Sequence, residues 1–357
     1  MVDLFYDLNL GHSTRMNTRL LQIYFSLSLI FSSSLGECQS LKRFSFTENK
    51  MGSPFGIIFY CEDSSRAKQL SIQCFQQVDS LVNIFSDYFP QSELNQLCAT
   101  AGSGKSFQCS PALFAILTLA SEASKKSEGT FDITLGPLTH LWRKCRREKT
   151  FPDSATIKEK LQLIGYKKMI LDSVNHSVQL MLSGMELDLG GIAQGYIAQK
   201  TIDLLKKKNI QNALVDVSGD IVCIGKPPNK SGWSVAVSVP NSQNEFLERQ
   251  LQLNNCAVTT SGDIHQFIEH KGIRYSHLID PKTGYGITSQ VNVTVIAKEG
   301  TQADWLTKAC SILPRKKAMK LAEQVNAGLL IVEMKKGKPV LHASKNFNHF
   351  WKTDVHE

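Results

Sequence analysis

The chain has 357 residues, 42% apolar and 20% charged, a balance that excludes a disordered or fibrous protein and allows a sizeable core. Its formal charge of +8 is scattered in short basic runs, Arg143 to Lys149, Lys206 to Lys208 and Arg315 to Lys317, with no nucleic-acid motif beside them, so they read as solvated surface. Nine cysteines, with no C-x-x-C pair and no zinc-like spacing, read as small buried hydrophobes with at least one free thiol.

From the N-terminus, Met16 to Arg19 precede an apolar run from Leu20 to Phe31 and the small residues Ser32 to Gly36. That order fits a secretory signal, and the run is shorter than the ~20 residues of a bilayer span. The expected division is therefore 1–36 as an upstream extension and signal peptide starting at Met16, then one domain over 44–352, exported to the periplasm. Cys38 offers an inner-membrane lipid anchor as an alternative, opposed by the acidic Glu37 before it.

Within the domain, FGIIFY (55–60) reads as a strand, and Leu70, Cys74, Val78, Leu81 and Phe85 recur at helical spacing. Ser110 and Pro111 open a second helix carrying Leu113 through Ala123. The charged stretch 143–153 is expected as a loop dividing two lobes, followed by a helix that Ser154 caps and that runs to Leu163. YKKMILD and SVQLML pair around Asn175. MELDLGGIAQGYIAQKTIDLL runs from an apolar strand into a helix. ALVDVSGDIVCIG, GWSVAVSV, RQLQL, CAVTTSG, YSHLID and VNVTVIA are strands, and helices at Thr301–Ser311 and Arg315–Val325 precede the strand GLLIVEM. Without regular βα alternation, the pattern predicts an α+β fold with helices packed on a largely antiparallel sheet.

Gly190, Gly191 and Gly195 straddle a helix start, where bare backbone and unpaired N–H groups suit a phosphate or pyrophosphate. The spacing is neither a P-loop nor a dinucleotide fingerprint, and tight strand-to-helix packing is the competing account. Ser-Gly-Asp turns recur at Gly219-Asp220 and at Ser261-Gly262-Asp263. YSHLIDPKTGYG gathers His277, Asp280, Thr283 and Gly284, and ADWLTKA puts Asp304 at a helix start, where capping is the plain alternative.

The segments MGSPFGIIFY, FSDYFPQSELNQL, GTFDITLGPLTHLW, LDLGGIAQGY, ALVDVSGD, AVTTSGDIHQFIEHKGIRYSHLIDPKTGYG and TQADWLTKACSIL stand in this order over most of 51–333. Together they resemble the FAD:protein FMN transferase family, the ApbE-like proteins. The resemblance implies a T-fold-like single domain of two lobes. It implies an exported enzyme that takes FAD and Mg2+ and transfers FMN through a phosphoester to a threonine of a partner in a membrane redox complex, releasing AMP. An FAD pyrophosphatase yielding FMN and AMP, and a non-catalytic flavin-binding protein, are the alternatives.

Carried over by motif, the Ala193 carbonyl and the Asp304 carboxylate would hold magnesium, and Asp188, Gly190, Gly191, Gln194, Ser261 and Gly262 would surround FAD. Tyr88 would stack on the isoalloxazine ring, with core packing as its alternative. His277 would lie near FAD and handle the threonine proton, since imidazole titrates near ~6.5. Asp280 would orient it, touch the flavin or make a turn with Pro281. Three positions depart from the family: Gln194 replaces a lysine, Cys98 an asparagine, and Lys308 a threonine that helps hold the metal. Four residues after Asp304, Lys308 would pair with that carboxylate, place an ammonium where the cation belongs, or snorkel to the surface, while Thr307 points elsewhere.

Overall fold

The computed structural model describes residues 41–240, 245–261 and 266–352; the expected signal segment, Cys38, and Gly262 with Asp263 lie outside them. Strand β1 (Lys42–Lys50) pairs antiparallel with β2 (Ser53–Cys61), which holds the expected FGIIFY. Helix α1 (Ser64–Phe85) starts where the Asp63 side chain accepts from the Arg66 N–H at 2.8 Å, and it buries Leu70, Cys74, Val78, Leu81 and Phe85 on one face. Next come α2 (Glu93–Ala99), β3 (Phe107–Gln108) and α3 (Pro111–Lys126), the last capped by Ser110 as its sequence predicts.

Helix α4 (Gly136–Glu148) runs through most of the basic stretch expected as a loop. Leu138, Trp142 and Cys145 keep helical spacing beneath the charges and are buried, so the run forms the polar face of an amphipathic helix. Helix α5 (Ser154–Leu161) is capped by Asp153, not Ser154: its carboxylate accepts from the Ala155 and Thr156 N–H groups. The hairpin β4 (Met169–Asp172) and β5 (Ser177–Leu180) joins β3 in a three-stranded sheet.

After α6 (Ala193–Lys207) the chain lays down β6 (Ala213–Val217), β7 (Asp220–Ile224), β8 (Trp233–Val235), β9 (Leu251–Leu253) and β10 (Cys256–Ser261). The β6–β7 turn holds Ser218 at φ 52° and Gly219 at φ 100°, the left-handed pair that a two-residue hairpin needs. Then follow β11 (Phe267–His270), β12 (Ile273–Ser276), β13 (Val291–Ala297), α7 (Gly300–Ile312), α8 (Arg315–Gln324), β14 (Gly328–Lys335) and β15 (Lys338–Ala343).

Eight strands form one antiparallel sheet in the order β1-β2-β6-β7-β10-β13-β14-β15, with β1 and β15 as its edges. Helices α6 and α7 pack on one face. The other face, with Leu214, Cys223, Val258 and Leu330, is covered by Trp233, Leu251, Leu253 and Phe347. A smaller core of Leu138, Trp142, Ile157 and Ile279 joins α4 and α5 to the segment after β12. Among the described residues the cysteines are unbridged, and all but Cys98 are buried.

Helices α6 and α7 meet at two glycines. A methyl on Gly195 would collide with the Gly300 carbonyl oxygen and come within 2.7 Å of Asp304 Cβ; one on Gly300 would collide with the Gly195 carbonyl. The cause of Gly195 is therefore helix contact, not ligand approach, which corrects its expected place among the phosphate-binding glycines. Gly195→Ala should destabilise the protein by about 2–3 kcal/mol, as forced overpacking does. Gly56→Ala, whose methyl meets nothing nearer than 3.8 Å, should leave the urea midpoint almost unmoved.

Candidate active site

The segment before α6 is extended but unpaired, and its alternation sorts its side chains: Met185, Leu187 and Leu189 are buried, while Glu186 and Asp188 turn toward α4. It is anchored where the Leu187 N–H donates to Cys98 Sγ at 3.3 Å and the Asp188 N–H to the Ile133 carbonyl at 2.8 Å. Asp188 then shapes the glycine turn. Its Oδ1 accepts from the Gly190 N–H at 2.7 Å and its Oδ2 from Arg143 at 2.9 Å. Ile192, at the N-cap of α6, offers no side-chain cap. The N–H groups of Gly191 and Gln194 have no hydrogen-bond partner among the described residues, so two amides are left at a helix N-terminus, which suits an anion.

A cleft of about 280 Å³ opens over this helix start, and Asp188, Gly190, Gly191 and Gln194 line one side of it. Tyr88, His277 and Lys308 line the rest, with Arg143 and Arg146. Tyr88 is 74% exposed with its ring 4.6 Å from the Arg143 guanidinium carbon, which rules out core packing and leaves an aromatic face at the rim. Ser261 is buried in the sheet opposite Val293 and does not line the cleft, a correction set by strand register. Asp280 is a turn residue: its Oδ1 accepts from the Lys282 N–H and its carbonyl from Thr283 and Gly284, with no hydrogen bond to His277. Of the three roles its sequence leaves open, the turn is the one these contacts show. Asp132 supports the loop below, accepting from Thr134 and the Tyr166 N–H.

Asp304 does not cap its own helix. It is fully buried on the second turn of α7, and its Oδ2 accepts from the Gly195 N–H at 3.0 Å, so it caps the first turn of α6 instead. Its Oδ1 is met by Lys308 Nζ at 3.0 Å across one helical turn. Thr307 does point elsewhere, donating to the Ala303 carbonyl. Burial opposes the Lys308 charge, but Asp304 and Asp220 outweigh it and hold the ammonium above its ordinary range. Asp220 closes the β6–β7 turn opposite Val217, and burial first, then the Asp304 charge, push it up to about 7.

The His277 imidazole is pulled down to about 4, first by burial and then by the Lys308 charge. Its Nδ1 lies 3.2 Å from the Gln266 carbonyl, so Nδ1 carries the hydrogen and Nε2 is the basic nitrogen. The expected magnesium site does not fit the residues present. Magnesium demands oxygens at about 2.0–2.1 Å; Asp304 Oδ2 is taken by an amide, and Oδ1, which accepts no hydrogen bond, is ion-paired with the Lys308 ammonium at 3.0 Å. Among the described residues no group of three or more His, Cys, Asp or Glu side chains could hold a metal.

Sequence reasoning missed a ladder of charges behind the cleft. Glu186 Oε2 contacts His140 Nδ1 at 2.8 Å, His140 Nε2 contacts Asp87 at 3.3 Å, and Arg143 bridges Asp87 and Asp188. Arg143 and His140 were hidden in a basic run and a helix whose partners lie far along the chain; their spacing of three on α4 was the available signal. His140 is raised to about 9 by its hydrogen bond to Asp87 and then that to Glu186. Because that lies above the ordinary value of ~6.5, its stabilisation is complete below ~6.5 and is lost as pH rises through about 9. The melting temperature should therefore fall more between about pH 7 and about pH 10 in the parent protein than in His140→Gln.

The sequence profile of the ApbE family matches residues 51–331. The FAD:protein FMN transferase of Klebsiella pneumoniae is 30% identical over 266 residues, 74% of this chain and 81% of that protein. That of Haemophilus influenzae is 28% identical, over 86% of this chain and 91% of its own. The crystal structure of the Pseudomonas stutzeri flavinyl transferase ApbE, in apo form, superposes with a TM-score of 0.78 at 27% identity, covering 87% of this chain and 97% of that one. The ApbE protein of Thermotoga maritima gives 0.78 at 26% identity. With the family profile matching 51–331 and ApbE structures superposing at a TM-score of 0.78, this chain belongs to the ApbE family.

Proposed function

We propose that the protein is an FAD:protein FMN transferase. The observation that carries this reading is the cleft itself, where two unpaired amides at a helix start face cationic side chains, beside an exposed aromatic ring and a neutral histidine. The amides of Gly191 and Gln194 take diphosphate oxygens, and Arg143, Arg146 and Lys308 supply positive charge. Gln194 donates without charge, a weaker contact than a lysine would give. Tyr88 offers its ring to the isoalloxazine.

His277 Nε2 takes the proton from the acceptor threonine hydroxyl. The threonine Oγ forms a bond to the FMN phosphorus, the bond from that phosphorus to the bridging oxygen breaks, and AMP leaves with the electron pair. The low value of His277 keeps it unprotonated in the free enzyme, and the negative charge of a bound diphosphate makes it more basic when it is needed. The acceptors are threonine-bearing proteins of membrane redox complexes, met after export; the signal-like order of residues 16–36 supports that location.

Incubation with FAD and a threonine-bearing acceptor should yield covalent flavin and AMP in equal amounts. AMP released equally without acceptor would favour a pyrophosphatase, and bound flavin without AMP a carrier. On kcat/KM, which reports the free enzyme, activity should hold from pH 7 down to about pH 5.5, where a histidine titrating at ~6.5 would have lost about tenfold. His277→Asn should lower kcat by about 10²-fold or more.

A further inference from the structure

We propose that the Lys308 ammonium takes the place of a bound divalent cation, so that this chain holds and neutralises the diphosphate of FAD without metal. The inference rests on the reading of the cleft as an FAD site. It begins from the way Asp304 is used. A carboxylate that binds a metal needs an oxygen free to coordinate. Here Oδ2 is committed to the Gly195 N–H and Oδ1 lies 3.0 Å from Lys308 Nζ, inside a residue with no exposed surface.

The lysine is fixed in place. Its Cγ lies 3.2 Å from where a Gly191 methyl would stand, so the stem runs against the glycine turn that carries the unpaired amides. Lys308 lines the cleft, and only 17% of its side chain is exposed. A snorkelling lysine would reach solvent; this one reaches a buried acid.

Charge closes the argument. The buried group has two carboxyls, Asp220 and Asp304, and one ammonium. A divalent ion beside Lys308 would face strong repulsion at a few ångströms in a medium far less screening than water. Arg146, in the same cleft, adds positive charge toward the phosphates, while Arg143 is already paired with Asp87 and Asp188.

The test is a titration of the full chain with FAD, followed by flavin fluorescence, in EDTA and again in millimolar magnesium. The parent protein should give the same dissociation constant in both, within about twofold. Lys308→Thr, which frees Asp304 Oδ1, should bind weakly in EDTA and recover by roughly tenfold or more with magnesium. Circular dichroism checks that the variant folds; if it does not, the parent titrations decide alone. Parent binding that strengthens about tenfold with magnesium, or vanishes on chelation, overturns this inference and leaves the transferase reading intact. Equal binding in both buffers with no transfer to a threonine acceptor supports this inference and removes the transferase reading. No binding in either buffer overturns both.

Discussion

One carboxylate ties the molecule's two central helices to its candidate chemistry. Asp304 stands on α7, yet it caps α6 through the Gly195 N–H, and it can reach that amide only because Gly195 and Gly300 let the helices touch backbone to backbone. The same carboxylate fixes Lys308 one turn further along. The position of the glycine turn, the orientation of the unpaired amides and the placement of the ammonium all descend from that contact. A buried acid without these partners would carry a desolvation penalty that the fold could not support.

A second set of charges holds the rim. Arg143 is gripped by Asp87 and Asp188, so the loop bearing Tyr88, the helix α4 and the turn at Gly190 are braced against one another. Asn95 adds to this by donating to the Phe89 carbonyl at 2.9 Å. The exposed Tyr88 ring therefore sits on a rigid base, even though little of its own surface is packed. Rigid support beneath an exposed ring lowers the ordering cost of binding.

Much of the fold was legible in local pattern. Helices α1 and α3 announced themselves by periodicity and caps, and β13 and β14 by dense apolar runs. Strand β1 escaped because Phe44 and Phe46 are its only apolar residues and it lies at an edge. The end of α4 was hidden because a charge run looks like a loop when the buried Leu138, Trp142 and Cys145 beneath it are counted separately. At the site, Asp188, Gly190, Gly191, Gln194, Tyr88, His277 and Lys308 do converge, since motif order carries local placement. For Gly195 and Asp280 the alternatives left open in the sequence, close packing and a turn, are what the fold shows, and Ser261 lies away from the cleft because strand register buries it. The Arg143 ladder joins residues 45 and 56 positions apart, a pairing that only the folded chain defines.

The open sheet has an outcome for solubility. Among the described residues both its outer strands lack a partner on one side, the usual template for chains to zip together into aggregates. β1 carries Lys42, Arg43 and Lys50 along that border, and β15 carries Lys338 with Pro339, which has no N–H to offer a newcomer. Fixed charges and a missing donor thus act as gatekeepers, and the array ends at its own boundaries without closing into a barrel.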